Sequence, residues 1–276
     1  YISFSLAIAL NAALRLNYAA ICRWWSRGQV WITKSVKVEL QMITDLLLEP
    51  EYSPVWSRYI GLLIPRDATH RILSDASYAG IGGWSPHFHL QWRVTREDLV
   101  ALGFKMKHID KYAQEPLDAS TDGLHINPLE FLAVIVNMWL VVKLIMSLPP
   151  VRTGYIIDLL SDNTSALSWM RLTAQTRDPR LQPLARFASM LLVVASRHLT
   201  RVQPKHIPGD DNLEADTLSR SENGQVPSWE RVTSRCSQLR TCHIYLLPRE
   251  LLSSLVGLIS TGLTAGTYES LTTHLL

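Results

Sequence analysis

Apolar residues recur at helical spacing over the first fifty positions, at Leu14, Val36, Leu40, Ile43 and Leu47, and Pro50, Pro54 and Pro65 then interrupt any helix. From residue 71 the period shortens. Residues 71–77, 80–85 and 88–94 read as three strands separated by glycine- and proline-containing turns, which predicts successive antiparallel pairing. Residues 95–125 are polar and irregular and are expected to form a loop or insertion. Asn127 as cap and Pro128 as first helical residue then open a long apolar helix that runs to about Ser147, before Pro149 and Pro150.

Residues 155–161 are a short apolar run fitting a central strand, and 164–171 and 183–199 fit a short and a longer helix. The longer one carries Leu184, Phe187, Met190, Leu191 and Val194 on one side. A strand over 201–207 and a helix over 211–219 follow, then a polar linker and an apolar tail of helices. A strand reached through a helical crossover normally joins its predecessor in parallel. The order therefore predicts an α/β fold whose mixed sheet begins with an antiparallel section and is covered by helices.

Composition narrows the function only slightly. At 276 residues and 47% hydrophobic, the chain can bury a full core. The net charge of +3 and a pI near 8.8 are compatible with a polyanionic partner without requiring one. Cys22, Cys236 and Cys242 form no CxxC pair, so neither a zinc site nor a disulfide framework is supported, and a reducing, intracellular setting is expected. Residues 2–10 are apolar but lack an initiating Met and a basic leader, so no signal peptide is expected. Residues 131–148 are the strongest membrane candidate, yet Asn137 and Lys143 interrupt them and a buried helix is expected. Trp24 and Trp25, among Arg23, Arg27 and Lys34, read as a packed pair flanked by solvated charges.

Four acids stand at informative places. Asp75 lies near the end of the first strand, just before Gly80, Gly82 and Gly83, where bare backbone would let a nucleic-acid strand pass close by. Glu130 is three residues after Asn127, the position of a reciprocal helix cap. Asp162 ends the second central strand, on the side where α/β sheets place ligands. Asp216 sits on the last helix of the set, and each acid alone has a bland structural explanation. Converged at one sheet edge, they would repel one another strongly and call for a pair of divalent cations. Two such ions about 3.5 to 4 Å apart clamp a phosphodiester, so phosphodiester hydrolysis is the inferred reaction.

The segments 72–77, 128–133, 160–163 and 207–220 (Ile-Pro-Gly-Asp-Asp-Asn-Leu-Glu-Ala-Asp-Thr-Leu-Ser-Arg) together resemble ribonuclease H domains fused to retrotransposon reverse transcriptases of the gypsy and DIRS-like kind. The resemblance spans about residues 70–220. It implies a ribonuclease H-like mixed five-stranded sheet and cleavage of the RNA strand of an RNA/DNA hybrid with magnesium, manganese being an alternative. Asp75, Glu130, Asp162 and Asp216 match the metal-ligand positions, and Ser77 and Asn163 the hybrid contacts.

The family's loop histidine has no counterpart, since Asp210 and Asp211 fill that loop, and His206 reads as structural. Residues 1–69 resemble a polymerase thumb or connection plus linker, and 221–276 form a linker and helical segment. The polymerase region of the same polyprotein is the implied partner, but no Tyr-x-Asp-Asp motif is present. Other readings are a non-cutting module on the same fold, a transposase or integrase, and a decayed element copy.

Overall fold

The computed structural model describes residues 66–104, 126–149, 154–171, 181–220 and 226–261, together with residue 41. The expectations for the N-terminal helices, Cys22, the tryptophan pair and residues 105–125 lie outside these. Among the described residues the six strands are β1 (His70–Ser77), β2 (Gly80–Ser85), β3 (Leu90–Thr95), β4 (Tyr155–Ser161), β5 (Thr200–His206) and β6 (His243–Ile244). The helices are α1 (Arg96–Ala101), α2 (Ile126–Ser147), α3 (Thr164–Arg171), α4 (Gln182–Arg197), α5 (Leu213–Ser219), α6 (Trp229–Arg235) and α7 (Arg249–Thr261).

The strands form one mixed sheet in the order β5-β4-β1-β2-β3-β6. β1 to β3 are antiparallel neighbours, while β4 runs parallel to both β1 and β5. The sheet has six strands rather than the expected five, because the segment read as helical flank contributes β6, two residues paired parallel to the start of β3. A second correction concerns residues 95–101. Thr95 accepts from the Asp98 amide and Asp98 reaches back to the Thr95 amide, a capping box that starts α1 inside the stretch expected to be loop.

Alternation along β1 and β4 divides the interior in two. Ile72, Ala76, Ile157 and Leu159 face a large core built on α2, α3, α4 and α7. Leu73 and Leu160 face a smaller one with Trp84, Leu218, Val232, Cys236, Leu239 and Cys242. Cys236 and Cys242 are free thiols.

α2 is long and apolar enough to cross a membrane by length and composition, and 83% of its apolar window is buried inside the fold. It lies between β1 on one side and α3 and α4 on the other, which explains why its hydrophobic residues show no single face. Its central Asn137 is wholly buried and accepts from Trp92 Nε1 at 2.8 Å.

Candidate metal centre

β1 and β4 are adjacent and parallel, so their carboxyl ends lie at the same edge of the sheet. Leu73 is opposite Leu160, and continuing that register by two residues brings Asp75 opposite Asp162. Period-two alternation puts both acids on the α5 side of the sheet. Glu130 enters from the first turns of α2 and meets the Ala76 backbone near the end of β1. One carboxylate oxygen each from Asp75, Glu130 and Asp162 lie within 4.8 Å of one another.

These three acids, with Asp216, Tyr78, Arg96 and Arg220, line a cleft of about 630 Å³. Asp216 reaches the wall of the cleft but is not one of the close trio. Arg220 Nε, one helical turn on, holds its Oδ1 at 2.5 Å.

Burial is the main reason that the Asp75 carboxyl is pushed up to about 7, with Asp162 and Asp216 adding repulsion and the Ser219 hydroxyl and Arg220 opposing it. Glu130 is pushed up to about 9, again first by burial, then by Asp75, Asp162 and Asp216, against one hydrogen bond from the Ala76 backbone. Glu130 is only 5% exposed, and among the described residues its Oε2 has no hydrogen-bond partner. A buried carboxylate oxygen left unpaired beside two other acids lacks a positive charge. The donors are all oxygen, with no His or Cys in the trio, which suits a hard divalent cation.

Several neutral groups fix the acids. Ser219 Oγ donates to Asp75 Oδ2 and also lies 3.0 Å from the Asp216 carbonyl oxygen, tying α5 to β1. Ser77 Oγ donates to the Ser219 carbonyl at 2.6 Å, and buried Asn212 donates to the Ser74 carbonyl at 3.1 Å. A Cβ on Gly209 would stand 3.3 Å from Asp162 Oδ2, so the bare residue admits that carboxylate closely. Gly82 serves packing: a Cβ there would lie 2.6 Å from the Leu218 Cβ. The room beside the glycine-rich strand, expected to admit a nucleic-acid backbone, is filled at Gly82 by α5, and at Gly83 by Asn137 and Trp92.

Ser77 lines the cleft with its hydroxyl already engaged. Asn163 lies outside the cleft lining and caps α3, accepting from the Ala166 amide at 2.9 Å. Its Nδ2 donates to Asn127 Oδ1 at 3.0 Å. Asn127 is therefore not the cap of α2, which begins a residue earlier, and the Glu130 carboxyl is in the acid cluster rather than in a capping box. His206 is exposed at the end of β5, opposite Ser161.

Ser219 and Arg220 were not singled out by sequence reasoning. Their spacing held the signal, since positions three and four residues after Asp216 share its helix face. No protein-family model, no curated protein and no solved structure matches this chain.

Proposed function

We propose that the chain is a metal-dependent nuclease with a ribonuclease H-like fold that hydrolyses the RNA strand of an RNA/DNA hybrid. The observation that carries this is the convergence of Asp75, Glu130 and Asp162 from β1, α2 and the end of β4, with a buried oxygen on Glu130 that has no partner among the described residues. The strand order supports the fold: three antiparallel strands and two parallel ones, with β6 added at the far edge. The motif resemblance supports an origin in a retroelement polyprotein, with its polymerase region as partner.

Asp75, Glu130 and Asp162 would hold divalent cations, with the second oxygen of Asp216, whose Oδ1 is held by Arg220, facing them from the cleft wall. When bound, a pair of such cations supplies Lewis acidity to both the attacking and the departing oxygen of a phosphodiester. The chain's own part is to position and to discharge. The Ser219 hydroxyl orients Asp75 and stabilises its ionised form, while Arg96 and Arg220 put positive charge on the cleft wall beside an anionic backbone. Hybrid recognition through backbone, groove shape and 2′-hydroxyls requires no base-specific side chain.

The test is cleavage of a fluorophore-labelled RNA/DNA hybrid by the purified chain, with duplex DNA and chelator controls. Magnesium-dependent cutting of the RNA strand is expected, lost in both Asp75→Asn and Asp162→Asn. A folded wild type that leaves the hybrid intact with magnesium would refute the proposal.

A further inference from the structure

Beyond the acidic cleft lies a second one of about 320 Å³, lined by Leu213, Asp216, Thr217, Arg220, Pro227 and Arg235, among others. Asp216 and Arg220 line both clefts, so the two are neighbours across a single turn of α5. The far wall belongs to the segment after residue 226. Its position is well fixed: Arg93 stacks on Trp229 at 4.2 Å and donates to the Pro227 carbonyl, Ser228 caps α6, and Val232 is buried in the smaller core.

We infer that this second cleft is a phosphate subsite, in which Arg220 and Arg235 grip the sugar-phosphate backbone of the strand whose scissile group lies at the acid cluster. The inference rests on the nuclease reading and adds to it a binding site formed by α5 and α6.

Arg220 is suited to the role because its pair with Asp216 uses only Nε. Its side chain is 67% exposed, and its other four N–H donors have no partner among the described residues. The ion pair also neutralises the one carboxylate on this wall. Arg235, an exposed residue of α6, brings a second positive charge to the facing wall of the cleft. Planar guanidinium forks match phosphate oxygens, and a space of this size takes a phosphodiester with its waters. Leu213, 55% exposed at the same cleft, offers an apolar surface to a sugar ring.

The test compares wild type, Arg235→Gln and Arg249→Gln. The last removes an equal charge from the exposed start of α7, outside the cleft. Hybrid binding is followed by fluorescence anisotropy over roughly 50 to 200 mM salt, with calcium replacing magnesium, and cleavage is measured in parallel with magnesium. For Arg235→Gln, Kd and KM should rise about three- to tenfold, kcat should fall by less, and the salt slope should drop by about one. Arg249→Gln should stay near wild type.

Equal losses in the two variants, or an unchanged Kd and slope in Arg235→Gln while wild type cuts the hybrid, would overturn the subsite and leave the nuclease intact. A wild type that neither binds nor cuts would overturn both. Arginine footprinting on the wild-type chain checks the same point without any variant: hybrid should protect Arg220 and Arg235 but not Arg249, and equal reactivity at Arg235 with and without hybrid would overturn the subsite.

Discussion

Replacing Glu130 by glutamine should stabilise the metal-free protein, although it removes a central acid of the site. An unfolded glutamate ionises near its ordinary 4.5, whereas burial and its acidic neighbours hold this one protonated up to about 9. A carboxyl raised in the folded state contributes stability that is complete below the unfolded value and is lost as pH climbs towards the folded one. At pH 7 the fold must keep a proton that the unfolded chain releases. At about 1.4 kcal/mol for each pH unit above the ordinary value, this costs about 3 kcal/mol.

Glutamine has no proton to lose and can donate to the neighbouring carboxylates, so the cost disappears. Urea denaturation in chelator should show Glu130→Gln more stable than wild type by about 3 kcal/mol at pH 7, and by under about 1 kcal/mol at pH 5. Magnesium should narrow or reverse the order, because ions bound only by the folded state stabilise wild type more than the variant. A variant no more stable than wild type at pH 7, or a difference that does not grow between pH 5 and pH 7, would refute the claim that this carboxyl is desolvated and repelled.

Ser219→Ala removes the hydroxyl that donates to Asp75, so the Asp75 carboxyl should rise further and magnesium affinity at pH 7 should fall roughly tenfold, less at pH 9, by titration calorimetry. Gly82→Ala puts a methyl 2.6 Å from the Leu218 Cβ and should push α5 off the sheet, costing about 1 to 3 kcal/mol in urea and weakening hybrid cleavage, since Asp216 and Ser219 ride on that helix. Asn137→Leu leaves Trp92 Nε1 buried without its acceptor and should lower stability by about 1 to 3 kcal/mol while leaving the acid cluster in place. Arg93→Ala removes the stacking on Trp229 and the bond to Pro227, and should make the chain after residue 226 more susceptible to limited proteolysis.

The central strands were legible because each carries its own local signal. β2 and β4 begin and end where the apolar runs do, and the parallel pairing of β1 with β4 follows from the helices between them. The acids were legible for a related reason: strand ends and parallel register are enough to bring Asp75 and Asp162 together. What escaped depended on distant partners or on short polar signals. β6 is two residues long and exists only because β3 offers an edge. α1 was announced by Thr95 and Asp98, a cap inside a stretch otherwise too polar to read. The glycines of β2 looked like room for a ligand, since nothing in their own sequence says that Leu218, more than 130 residues on, will fill it. Asn163, expected to touch substrate, spends its side chain on the start of α3 and on Asn127.

The smaller core sets the least length of chain that can stand alone. Leu73, Trp84, Leu160, Ala215 and Leu218 form one half of it, and Val232, Cys236, Leu239 and Cys242 the other. A piece ending at Arg220, where the acidic motifs end, would keep all four carboxylates yet leave Trp84 and Leu218 open to water, and lose the Gln91 bonds to the Leu239 and Cys242 carbonyls. α5 would then be held from one side only, and the acid it carries would move with it. In this molecule the span that contains the motifs and the span that keeps them rigid are different lengths of chain, and anyone trimming or grafting the domain must cut after the second.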